Sequence, residues 1–403
     1  MNILHLTPYY APAYAFGGVT RAVEGMARAL VARGHTVTVL TTDALSQTER
    51  YTGARDEMQD GVRVVRVPNR SVGLRGRLNL STPLGIGKVA EELLAQADVL
   101  HVHEFRTAEN LLVTPTAAQL NVPIVLSPHG TLTHSTGRSA LKWAWDHLLS
   151  PATARRIRTI IGLTAQEVEE ARAAWQSFGI EPSVARFAVV PNGVNAAEFD
   201  VPNRAELRAE FRQRYAVPDD APVCLFMGRL QARKGVDVLA RAFRQADIPG
   251  ARLVIAGPDE GMASALQPSI DQRIMLTGFL DAGERVAALI AADVFCLPAR
   301  GEGLSMASLE ALAAGLPVIL SPGCNLPEAA EAGAGVIVEP SVETLVQALR
   351  DLLPNAALCE KMGAAARALA RERFTWEAAA ARLEAEYQAV SGQRSGLASQ
   401  AFN

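Results

Sequence analysis

The sequence predicts an α/β protein of two Rossmann-like domains, each a doubly wound parallel sheet, facing a cleft. Three observations predict it. Short β-branched runs alternate with helical stretches through the first half of the chain, the pattern of βαβ units. The alternation breaks near 195–222 and then restarts. The strands of the second half carry Gly or Pro at their C-terminal ends, where the ligand loops of open α/β sheets sit.

In the first half MNILHLT, TVTVLTT, VRVVRVP, DVLHVHE, PIVLSPH, TIIGLT and FAVVPNG read as strands. GGVTRAVEGMARALVARGH reads as a helix, with Gly34 as its C′ residue. The charged, proline-flanked segment VPNRAELRAEFRQRYAVPDDAP reads as a helix-bearing linker. VCLFMGR, RLVIAGP, IMLTGF, VFCLPA, PVILSP and GVIVEP then follow as strands, and FTWEAAAARLEAEYQAV as a closing helix. The expected domains are 1–198 and 199–374, with 375–403 as a helix that crosses back to the first domain.

Composition removes several classes. The chain has 403 residues, 49% hydrophobic and 20% charged, so a sizeable core is expected rather than disorder. A net charge of -3 argues against binding nucleic acid through bulk charge. Cys224, Cys296, Cys324 and Cys359 show no metal spacing, and the first two lie in apolar runs. They read as reduced core residues of a cytoplasmic protein. The N-terminus lacks the basic and apolar regions of a signal peptide. No stretch is apolar enough to span a bilayer, so any membrane contact is expected to be peripheral, at the inner face.

The densest chemistry lies in RGEGLSMASLEALAAGLPV. A strand feeds a loop that opens a helix, which points the N–H groups of Gly303, Leu304 and Ser305 outward. A helix N-terminus offers unpaired donors and about half a positive charge, a fit for a diphosphate or for sugar hydroxyls. Glu302 sits in the loop as an acceptor for a sugar, and Glu310, about two turns on, for vicinal ribose hydroxyls. In GRLQARKGVDVLARAF, Arg229 and Lys234 flank the end of the first strand of this half. Two such cations can neutralise a diphosphate leaving group without a metal. Arg233 and Arg241 read as ordinary solvated charge.

GRLQARKG, GPDEG, TGF and GEGLSMASLEALAAGLPV resemble the family-four retaining glycosyltransferases of GT-B fold, as do the N-terminal GG loop, PHG at 128–130 and PNGV at 191–194. The resemblance covers nearly the whole chain. It implies a nucleoside-diphosphate-sugar donor such as GDP-mannose or a UDP-hexose, with no metal or other cofactor. It implies diphosphate contacts at Arg229 and Lys234, sugar contact at Glu302 and ribose contact at Glu310. It places the base near Gly278 and Phe279. Where many members read E-G-F-G-L, this chain has Glu302-Gly303-Leu304-Ser305, which alters the loop around the sugar.

In the first half, Gly17-Gly18 ends the loop after the first strand and opens a helix, which suits a donor phosphate. His129 follows PIVLSP and precedes Gly130; the family has a histidine there, beside the reacting sugar. His103 and Glu104 end DVLHVHE and are expected on the acceptor side, binding hydroxyls or assisting proton removal. Asn192 reads as a turn residue of an inter-domain loop. Residues 61–90 hold Arg63, Arg66, Arg70, Arg75, Arg77 and Lys88 and no acidic residue. That segment reads either as a solvated loop or as a contact for an anionic membrane or a lipid-diphosphate acceptor.

The expected reaction is hexosyl transfer with retention, in bacterial polysaccharide synthesis, to a glycan or polyprenyl-diphosphate-linked saccharide. The alternatives are transfer to a soluble small molecule and a non-catalytic nucleotide-sugar-binding partner subunit. A dinucleotide oxidoreductase is disfavoured by the missing GxGxxG.

Overall fold

The computed structural model describes residues 1–71, 73–74, 80–132 and 139–400, the side chains of 139–141 and 393–400 excepted. The chain divides into two compact units, Met1–Gly193 with Trp376–Asn403, and Val194–Thr375. Both are α/β units built on parallel sheets.

The first unit holds β1 (Asn2–Leu6), β2 (Thr36–Thr42), β3 (Asp56–Gln59), β4 (Val62–Val67), β5 (Val99–His103), β6 (Ile124–Ser127), β7 (Ile157–Gly162) and β8 (Arg186–Val189). Their order is β3-β4-β2-β1-β5-β6-β7-β8. All neighbours are parallel except β3 and β4. Sequence reading misses β3, because DEMQ has neither β-branched residues nor apolar alternation. It forms as one arm of a hairpin. Asp60 and Gly61 make the two-residue turn with φ of 48° and 80°, the positive φ pair that matches strand twist.

Side chains alternate between the two faces of the sheet. Leu4, Leu6, Leu100 and Val102 point into one core cluster, and Ile3, Val99, Val125 and Ile161 into the other. The alternation puts His5, His101, His103 and Ser127 on the second face, toward its C-terminal edge. That face is covered by helix Gly18–Ala32 and by helix Trp376–Gln400, which contributes Ala379, Ala380, Leu383, Tyr387 and Val390. Burying a Leu or Val side chain is worth about 1.5–3 kcal/mol, so this apolar stripe anchors the terminal helix to the first unit. Gly25 permits the approach: a Cβ there would lie 2.2 Å from the Trp376 ring.

The second unit holds β9 (Val223–Met227), β10 (Arg252–Ala256), β11 (Ile274–Gly278), β12 (Val294–Leu297), β13 (Val318–Leu320) and β14 (Gly335–Ile337). The order is β11-β10-β9-β12-β13-β14, with every pair parallel. The segment read as a linker is part of this unit. Its helix Arg204–Arg214 carries Arg212, 1% exposed. The Arg212 guanidinium donates to the carbonyls of Ala291, Pro218, Asp219 and Ala221 and to the carboxylate of Asp293. An Arg- and Glu-rich helix looks solvated in sequence. Here one guanidinium ties two stretches of chain, 218–221 and 291–293, to it.

All four cysteines are free and buried. Among the described residues no helix is long and apolar enough to cross a membrane.

Candidate active site

At the C-terminal edge of the second sheet, three loops meet through charged side chains. Gly228 leaves β9 at φ 154° and leads to Arg229, which donates to Glu260 in the loop after β10 at 3.1 Å. Gln231 donates to the same carboxylate. Lys234 pairs with Glu302, in the loop after β12, at 2.8 Å. Arg233 lies 3.4 Å from Glu302 and donates to the Gly301 carbonyl at 3.1 Å. Sequence context reads Arg233 as ordinary solvated charge; in the structure it instead helps close the Glu302 loop.

Lys234 and Glu302 are each only 10% exposed at the side chain. Burial raises the Glu302 carboxyl, but Lys234, then Arg233 and Arg229, outweigh it and hold it below the usual carboxylate range. The loop backbone is fixed as well. Glu302 N–H donates to the Gly323 carbonyl at 2.8 Å, and Asn325 Nδ2 donates to the Glu302 carbonyl at 2.7 Å. Tight backbone approach demands glycine at two places. A Cβ on Gly235 (φ 69°) would sit 2.2 Å from the Pro298 carbonyl oxygen, and one on Gly257 (φ 141°) 1.9 Å from that of Gly228.

Helix Met306–Ala314 follows the loop, capped by the Ser305 side chain accepting from Ser308 N–H. Leu304 is buried, and the Gly303 carbonyl accepts from Asn325. Glu310, buried on this helix, pairs with Arg285 at 3.0 Å. Arg285 is itself buried and reaches Glu198 at 2.6 Å. Burial lowers its guanidinium, yet Glu310 and Glu198 raise it on balance. Gly278 closes β11 at φ 72°, its carbonyl accepting from Gly257 N–H at 2.8 Å, and leaves Phe279 49% exposed. The structure therefore gathers Arg229, Lys234 and Glu302 in one charged cluster and gives Glu310 a separate partner. Arg285, Glu260 and Asn325 receive no site role from sequence reading. Glu260 and Asn325 carry a signal, inside GPDEG and GCNLPE, and Arg285 carries none.

In the first unit, Gly17 (φ 103°) is the N-cap of helix Gly18–Ala32, without a side-chain cap bond. His129 follows β6 at φ 54° and Gly130 at φ 72°. The Gly130 N–H donates to Glu167, which also accepts from Leu163 N–H at 2.7 Å. Burial pushes the Glu167 carboxyl up to about 7. His129 Nε2 lies 3.0 Å from His103 Nδ1, and His103 Nε2 lies 2.7 Å from His5 Nδ1. His101 meets Tyr387 Oη at 2.6 Å and Ser127 Oγ at 2.8 Å. Burial lowers the pKa of His5 to about 3 and of His129 to about 4, and those of His101 and His103 well below the ordinary histidine value.

His103 is 0% exposed and has an imidazole on each nitrogen. Against the expected direct acceptor contact, burial and the two ring contacts leave no His103 nitrogen open to a ligand. Glu104, half-buried at φ 61°, follows it. Asn192 is buried, with no partner for Oδ1 among the described residues. Of the basic residues in 61–90, Arg66 is buried and pairs with Glu57, which removes it from a membrane patch, while Arg63 pairs with Asp56 at the surface. Arg75 and Arg77 lie outside the described residues.

Residues 17–193 match the family model for a glycosyl transferase 4-like domain, and residues 208–369 that for glycosyl transferases group 1. The chain is 31% identical over 318 residues to a GDP-mannose-dependent monoacylated alpha-(1-6)-phosphatidylinositol monomannoside mannosyltransferase of Corynebacterium glutamicum, covering 75% of this chain and 80% of that protein. It is 27% identical to a glycogen synthase of Mycobacterium tuberculosis, covering 98% and 96%. In fold it matches sucrose-phosphate synthase from Thermosynechococcus elongatus, with TM-score 0.73, 19% identity and coverage of 97% and 99%. The fold and the family matches are thus those of a nucleotide-sugar-dependent transferase. The chain belongs to the family-four glycosyltransferases of GT-B fold.

Proposed function

We propose that the protein transfers a hexose from a nucleoside diphosphate to a hydroxyl of a glycan or lipid-linked saccharide, with retention and without a metal. The observation that carries this reading is the Arg229, Arg233, Lys234, Glu302 cluster beside the start of helix Met306–Ala314. Arg229, Lys234 and the N–H groups of 303–305 hold the diphosphate. Such preorganised donors stabilise charge as it develops on a leaving group. Glu302 orients the sugar, Glu310 the ribose, and the backbone of Gly278 and Phe279 the base. Gly17 and Gly18 serve the donor phosphate, and His129 the sugar.

The C1–oxygen bond to the diphosphate breaks as the acceptor oxygen bonds C1 from the same face. The acceptor proton passes to the departing phosphate oxygen. The relatives' dependence on GDP-mannose supports that nucleotide sugar as the first donor to test, and their phosphatidylinositol-linked acceptors support a lipid-linked acceptor.

Thermal shift with GDP, UDP and ADP identifies the base, because binding to the folded state raises its stability by mass action. Turnover of the matching sugar donor with EDTA present, followed by NMR of the product's anomeric proton, tests the rest. An inverted product, or activity that vanishes with EDTA and returns with Mg²⁺, overturns the mechanism.

A further inference from the structure

The imidazoles of His5, His103 and His129 form a line from the buried end of β1 to the loop after β6, at 2.7 and 3.0 Å. Each contact needs one proton between two ring nitrogens. Burial excludes an imidazolium in the middle, so each ring carries one proton and the line has two registers. In the first, His5 Nδ1–H donates to His103 Nε2, and His103 Nδ1–H donates to His129 Nε2. The outer Nδ1 of His129 then bears the remaining proton. In the second register every bond reverses. His129 then presents a bare Nδ1, and the last proton sits on His5 Nε2.

His5 Nε2 decides between them. It is buried and has no partner among the described residues. The second register would place an N–H there with nothing to accept it, whereas the first leaves only a lone pair. Orphaned buried N–H groups are rare, and a buried donor without an acceptor loses its full hydration. His101 does not disturb the line, since its two nitrogens are engaged by Tyr387 and Ser127. We propose that His5 and His103 are positioning residues that lock His129 as the Nδ1–H tautomer, so that His129 meets its ligand as a hydrogen-bond donor and not as a base. This rests on the proposed placement of His129 at the sugar only for its effect on catalysis. The register itself is a property of the free protein.

The ring nitrogens of His5, His101 and His103 lie within 4.8 Å of one another, so metal content belongs in the test. Two-bond ¹⁵N–¹H correlation on full-length, ¹⁵N-histidine-labelled protein should show His5, His103 and His129 protonated at Nδ1. His5→Leu should let His129 populate both tautomers and lower kcat roughly tenfold, with the donor KM changed less than twofold. His5→Asn, which keeps an amide donor facing His103, should restore the Nδ1–H tautomer and most of kcat. Nε2–H on His129 in the unmodified protein, or stoichiometric zinc that ligates these rings, overturns the proposal. Correct tautomers without any kcat response to His5→Leu would instead remove His129 from the sugar and leave the register standing.

Discussion

Lys234 donates to Glu302 across 2.8 Å, so the cation proposed for the leaving diphosphate is already held by the acid proposed for the sugar. A donor must share Lys234 with that carboxylate. Removing the acid and removing the cation should therefore have opposite effects on nucleotide binding. Lys234→Ala should weaken nucleoside diphosphate binding and reduce kcat by about 10²–10³-fold, the usual loss for one preorganised donor. Glu302→Gln should bind the same nucleotide as tightly or more tightly, yet lose kcat to a similar degree. Calorimetric Kd values beside steady-state rates decide it. Equal loss of affinity in both variants would show that the pair binds as one unit.

Arg285 is sandwiched between Glu198 and Glu310, at 2.6 and 3.0 Å. Breaking a buried ion pair on one side costs about 3–5 kcal/mol, because the other charge stays buried. Arg285→Met should thus destabilise the second unit strongly. Arg285→Met/Glu310→Met should regain part of that loss, since an apolar pair tolerates burial. The double variant should still show a raised donor KM, because no carboxylate remains for the ribose. Urea unfolding and donor KM on the single and double variants separate the two effects.

Much of this was legible in the sequence, and the remainder shares a physical cause. Strands with β-branched runs and the spacing of Glu302 and Glu310 depend on neighbours close in the chain. Arg285, Glu260, Asn325 and His5 matter through partners 23 to 98 residues away. Single-chain periodicity holds no information on such partners. Arg212 and Arg233 show the converse error. Both look solvated by composition, yet each is spent on backbone carbonyls. The hairpin strand β3 was visible only through its Asp60-Gly61 turn.

Four histidines of the first unit, His5, His101, His103 and His129, give its stability an acid limb. Unfolded, each takes up a proton near pH 6.5; folded, burial holds His5 to about 3 and His129 to about 4, with His101 and His103 also well below the ordinary value. The unfolded chain therefore binds more protons between those values. Stability is full above about pH 6.5 and falls as pH drops toward 4, by about 1.4 kcal/mol per ring per pH unit. Glu167, raised to about 7, works the other way and offsets one ring over that window. Melting temperature should drop steeply from pH 7 to 5, and His5→Leu should shallow that slope. A flat profile would mean that the rings are protonated in the fold.

Glycine at 257 should be a site requirement rather than a fold requirement. A Cβ there would lie 1.9 Å from the Gly228 carbonyl oxygen, next to Arg229, and the backbone is at φ 141°. The Arg229 loop must move to admit it. Gly257→Ala should cost about 1–3 kcal/mol, the range for overpacking, and should weaken nucleoside diphosphate binding more than tenfold as Arg229 shifts. Gly250 provides the control: it also has positive φ, at 73°, but nothing lies within 4 Å of its Cβ position. Gly250→Ala carries only the backbone strain and should bind nucleotide unchanged. Similar affinity losses in the two variants would assign the effect to general destabilisation and not to the approach of β10's loop to Arg229.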